Sequence, residues 1–98
     1  MTIQHNLSEE QSAFAFWLKK EMPYLLPLFD FQKREFLPVK VDHFLRNASS
    51  GEEIMARFVL GVWLHEDKHN FDFIEASRRL DEKSIRIITE WMRSPIWP

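Results

Sequence analysis

The chain has 98 residues, enough for one domain and too few for two. It carries 13 Lys plus Arg against 15 Asp plus Glu, no Cys, two Gly and fourteen aromatic side chains, and 45% of it is hydrophobic. The apolar fraction excludes a disordered chain, and the absent Cys excludes disulfides, a thiol nucleophile and a cysteine metal site. A net charge of −2 speaks against nucleic acid as a partner. No apolar run approaches the roughly 20 residues of a membrane span, so no membrane partner is expected. The opening Met1 to Asn6 has no basic segment leading into an apolar one, which predicts a cytoplasmic location. Two separated glycines, Gly51 and Gly61, leave few tight hairpin turns and no phosphate loop. The expectation is an all-α single domain over residues 1–98, of five or six short helices ending in an αα-hairpin.

The first helix is predicted to start at Ser8, where Ser8-Glu9-Glu10-Gln11 is a capping box. Phe14, Trp17, Leu18 and Met22 recur at helical spacing, and Pro23 stops the helix near Glu21. Pro27 fits the first turn of a short helix running to about Glu35, with Phe36 to Val41 extended after it. Val41, Phe44, Leu45 and Ala48 fit one helical face, with Asn47 to Ser49 as its exit. Ser50-Gly51-Glu52-Glu53 reads as a second capping box, opening a helix through Ile54, Met55, Phe58, Val59, Val62 and Trp63. That pattern lasts to Leu64, and continuation to His69 is left open. Asn70 is a candidate cap, either closing that helix or opening the next. Phe71, Phe73, Ile74, Ala76 and Leu80 give a short helix, and Asp81 caps a last one through Ile85, Ile87, Ile88, Trp91 and Met92. The Leu80-Asp81 junction leaves a tight corner between them.

His65-Glu66-Asp67-Lys68-His69 reads H-E-x-x-H. On a helix, His65 and His69 would project from one face, where two imidazoles can hold zinc. Over these five residues the chain resembles the zincin metalloproteases. The resemblance implies His65 and His69 as zinc ligands and Glu66 as the general base, with Glu75 or Glu90 as third ligand. Asp72 stands where the metzincin pattern has Gly, and Glu75 where it has His. The preferred reading assigns no catalytic residue, metal or cofactor, and keeps this set as its alternative.

Residues 70–93 also admit a helix-turn-helix reading. Lys83, Arg86 and Arg93 would contact phosphates, and Ser84, Thr89 and Glu90 would meet base edges. Five basic and five acidic side chains over residues 70–98 leave no basic stripe for it. The tail Ser94-Pro95-Ile96-Trp97-Pro98 either covers the core or is an exposed anchor. With Leu25, the side chains Tyr24, Phe29 and Phe31 add more apolar surface than a domain of this size readily buries. Tyr24, Phe29, Phe31, Ile96 and Trp97 are therefore the candidate contacts for a protein partner or a second copy of the chain.

Gly51, the Phe58-to-Leu64 run with Trp63, Phe71-Asp72 and Leu80-Asp81 mark a segment over residues 50–91. This segment resembles short uncharacterised proteins of bacterial plasmids and integrative elements. The resemblance implies an accessory bacterial protein and no particular activity. The expected function is non-enzymatic, through protein–protein interaction or self-association.

Overall fold

A computed structural model describes residues 7–98. The expectations on the opening residues Met1 to Asn6 lie outside that range. Five α-helices carry the fold: α1 (Glu9–Glu21), α2 (Pro38–Asn47), α3 (Ser50–Leu64), α4 (Phe73–Arg79) and α5 (Glu82–Arg93). A 3₁₀ segment, Pro23–Leu28, and a two-strand hairpin, β1 (Phe29–Asp30) with β2 (Glu35–Phe36), lie between α1 and α2. The chain is thus all-α apart from one small hairpin and ends in the expected αα-hairpin. Its radius of gyration is 13.1 Å, matching the ~13 Å of a compact chain near 100 residues.

Local chemistry sets each boundary. The Ser8 hydroxyl accepts the Gln11 amide at 3.0 Å while the Gln11 side chain accepts the Ser8 amide at 3.1 Å, so α1 opens on the predicted capping box. Pro23 follows the last turn, and the Met22 amide closes it on the Leu18 carbonyl at 2.8 Å. Pro23 and Pro27 both fit a 3₁₀ turn, whose three-residue period places Leu25 and Leu28 together in the core.

The predicted helix from Pro27 to about Glu35 does not form. Helical structure stops at Leu28, and Phe29 pairs with Phe36 in an antiparallel ladder. Phe29 and Phe31 explain this: in extended chain, residues two apart share a face. Both rings reach Phe14, at 5.6 and 6.3 Å between centroids, and they stack on each other at 5.5 Å. A helix would set them far apart around its axis. The Asp30 carboxylate accepts the Lys33 amide at 3.2 Å, and Arg34 takes a left-handed φ of 55° to turn the chain. The expected extended run from Phe36 to Val41 is also cut short, because α2 starts at Pro38. Proline suits a first helical position, where its missing N–H costs nothing.

Two further boundaries move. Ser49, not Ser50, caps α3: its hydroxyl accepts the Glu52 amide and the Glu52 carboxylate accepts the Ser49 amide at 3.1 Å. Asn70 caps neither helix. It holds a left-handed φ of 58°, and Asp72 caps α4 by accepting the Glu75 amide at 3.0 Å. Asp81 caps α5 as predicted, accepting the Ser84 amide at 2.9 Å directly after Leu80 ends α4.

α3 is the central helix, burying Met55, Ala56, Phe58, Val59, Leu60 and Val62. Phe14 and Leu18 of α1, Met22, Leu25 and Leu28, Val41 of α2, and Ile87 and Ile88 of α5 pack around it. No polar or charged residue among the described residues is fully buried in this core.

Candidate functional site

The pentapeptide His65 to His69 does not lie on a helix. α3 ends at Leu64, and His65 is its C-cap with a left-handed φ of 61°. The Glu66 amide turns back to the Gly61 carbonyl at 3.2 Å, which closes the last turn. The i, i+4 face that would aim two imidazoles at one ion is therefore absent, which corrects the premise of the zincin alternative. The two rings pack on different partners: His65 on Trp97 at 5.5 Å, and His69 on Phe36 at 5.5 Å. Glu66 pairs with Lys68 at 3.7 Å. Glu75 holds Arg78 and Arg79, and Glu90 lies 3.9 Å from Arg86, so both proposed third ligands face arginines. Among the described residues no three His, Asp or Glu side chains are grouped as a metal site.

The segment is instead tied to α3 by Arg57. Its Nε and Nη2 donate to one Glu53 carboxylate oxygen at 3.1 and 2.8 Å, and Nη1 donates to the His69 carbonyl at 2.6 Å. The Asp67 carboxylate accepts the Phe71 amide at 2.7 Å, which fixes the entry to α4. His69 Nδ1 is buried without a hydrogen-bond partner, and burial, followed by the Arg57 charge, lowers the pKa of the ring.

Of the five residues expected to meet a partner, two are exposed. Tyr24 stacks on Phe44 at 6.4 Å with its phenol raised in pKa by burial, yet keeps 41% of its surface; Trp97 keeps 50%. Phe29 is corrected: it is buried beneath Phe14 and Trp63. Phe31 and Ile96 are half-buried against the core. The tail folds back because the Trp91 indole donates to the Ile96 carbonyl at 3.2 Å, so Ile96 covers the core and Trp97 stands beside it.

Besides Phe16 on α1 and Val39 on α2, unexpected apolar exposure falls on the αα-hairpin, at Phe73 (60%), Ile74 (66%) and Met92 (58%). A signal for it was present. Ile74 stands two residues before buried Ala76, nearly opposite it around a helix, so the two cannot face one core. Two clefts flank Phe71. One, of 110 Å³, runs between α4 and α5 along Phe71, Phe73, Ala76, Leu80, Ile85 and Ile88. The other, of 310 Å³, is walled by Phe58, Phe71, Trp91 and Trp97, with His65, Glu66 and Asp67 along its edge. The helix-turn-helix candidates Lys83, Arg86, Thr89, Glu90 and Arg93 are exposed on α5, with Ser84 half-exposed beside its cap.

No helix among the described residues is long and apolar enough to cross a membrane. Compared with family models, curated proteins and solved structures, the chain matches none.

Proposed function

We propose that this chain is a non-enzymatic accessory protein that works through protein–protein contact, with the α4–α5 face as the contact and a second copy of the chain as its occupant. The observation that carries this is the pairing of exposed Phe73, Ile74 and Met92 with an apolar cleft on the same two helices. A twofold contact needs one patch to hold both projections and a recess, since each copy presents the same surface. Ile74 and Met92 do not line the cleft, and Phe73, next to Ile74 in the chain, does. Residues 70–98 hold five acids and five bases, so two such faces meet without net repulsion. Bacterial origin and cytoplasmic location belong to the same proposal, the first resting on the resemblance of residues 50–91.

Sedimentation velocity over about 1–100 µM tests it, across the range of a micromolar contact. The wild-type protein is expected at twice 11.9 kDa at the upper end. Ile74→Glu and Met92→Glu are expected to leave a monomer whose stability changes by no more than about 0.5 kcal/mol, both sites being exposed. A wild-type monomer across the range overturns self-association.

A further inference from the structure

We infer that the 310 Å³ cleft at the end of α3 binds a methylated ammonium group. This concerns the cleft on the other side of Phe71 and does not rest on self-association. The cleft is lined by Phe58, Phe71, Trp91 and Trp97 and, along the chain leaving α3, by His65, Glu66 and Asp67. Its rings meet at steep angles. Phe58 and Trp91 are perpendicular at 5.4 Å, Trp91 and Trp97 cross at 73° at 5.0 Å, and Phe58 and Phe71 are tilted by 52° at 5.5 Å. Rings set across one another form the corners of a box, and the negative faces of aromatic rings attract a cation held among them.

The chemistry selects the kind of cation. A primary ammonium or a guanidinium brings several N–H donors that lose water on entry and need acceptors. Aromatic walls replace few of those hydrogen bonds. A trimethylammonium group carries its charge on methyl carbons and has no N–H to satisfy, so apolar walls suit it. The edge supplies the complementary charge. Asp67, fixed by the Phe71 amide, supplies most of it, since the Glu66 carboxylate is shared with Lys68 at 3.7 Å. The Trp91-to-Ile96 hydrogen bond holds the tail so that Trp97 closes one side. Quaternary ammonium small molecules and trimethyl-lysine side chains share this headgroup, and the measurement separates them.

The four indole N–H signals of the protein are followed by NMR during titration with choline. Saturable shifts are expected for Trp91 and Trp97, with Trp97 identified by the signal lost in Trp97→Phe. The uncharged isostere 3,3-dimethylbutan-1-ol is expected to bind about tenfold more weakly, a difference of ~1.4 kcal/mol. The double variant Glu66→Gln, Asp67→Asn is expected to weaken choline binding and leave the alcohol unchanged, since the carboxamide oxygen of the introduced asparagine still accepts the Phe71 amide. In a parallel arm, a short trimethyl-lysine peptide that binds more tightly than choline, and more tightly than its unmodified lysine form, places the headgroup on a protein. Tighter choline binding places it on a small molecule. No saturable shift up to ~100 mM, or equal affinity for choline and its neutral isostere, overturns the inference.

Discussion

At the start of α3 the chain reads Ser49-Ser50-Gly51-Glu52-Glu53, and two serines compete for one cap. Either has a glutamate three residues on. The choice is decided beyond the first turn. With Ser49 as cap, Glu52 folds back onto the Ser49 amide and Glu53 stays available to hold Arg57. With Ser50 as cap, Glu53 would fold back instead, and the guanidinium reaching the His69 carbonyl would lose its carboxylate. Ser49→Ala is therefore expected to cost about 1 kcal/mol in urea unfolding, while Ser50→Ala stays within about 0.5 kcal/mol. Equal losses at the two positions would put the cap one residue later. A capping pattern was thus legible in the sequence as a motif and ambiguous in register, because the choice turns on Arg57, which Glu53 holds and which in turn reaches the His69 carbonyl outside the helix. Ser8 and Asp81 had no such rival, and both boundaries were read correctly.

Among elements, the connections depart furthest from what periodicity shows. Both glycines sit inside α3, so the positive-φ turns fall to Arg34, His65 and Asn70. Scarce glycine correctly favoured helices and wrongly left out a hairpin, which Arg34 turns without one. The spacing of Phe29 and Phe31 carried the missing information, since two residues apart is a strand period. In the segment between α3 and α4, His69 presses edge-on against Phe36 at 88°, its carbonyl held by Arg57 and its Nδ1 buried. The folded state thus disfavours the charged ring, and its pKa lies below the ordinary 6.5. Above 6.5 the ring is neutral in folded and unfolded chains alike, and this source of stability is complete. As pH falls below 6.5 the unfolded chain takes up the proton first, so stability declines until pH passes the lowered folded value. Asp81, whose carboxyl is held low by the Ser84 amide, loses its contribution only at more acidic pH, below 3.8. Urea unfolding between about pH 7 and 5 is expected to show stability falling with pH in the wild-type protein. The fall should be shallower in His69→Phe, which keeps a ring against Phe36. Parallel curves would show that His69 takes its proton equally in both states.

Across the whole molecule, the aromatic side chains divide into a buried stack and an exposed set, and composition alone does not separate them. Phe14 is the centre of the stack. Its ring lies 5.2 to 6.3 Å from those of Trp17, Phe29, Phe31 and Trp63, which joins α1, the hairpin and α3 through one residue with no exposed surface. The hairpin aromatics, which on length alone exceed what a small domain buries, are absorbed there because Phe29 in β1 and Phe31 just after it stack on each other and both reach Phe14. Exposed apolar side chains remain on four of the five helices, at Phe16, Val39, Phe73, Ile74 and Met92, and in the tail at Trp97. Two phenylalanines on α1 make the division measurable, since Phe14 is 0% exposed and Phe16 is 68% exposed. Phe14→Ala empties the point where three elements meet and is expected to cost about 3–5 kcal/mol. That is a large share of the roughly 5–15 kcal/mol that holds a domain of this size, so the urea midpoint should fall steeply. Phe16→Ala, two residues away and facing solvent, is expected within about 0.5 kcal/mol of wild type. Phe14→Leu should recover much of the loss by refilling volume, though not the edge-to-face contacts with Phe29 and Phe31. If Phe14→Ala and Phe16→Ala unfold at the same urea concentration, the ring stack does not hold α1, the hairpin and α3 together.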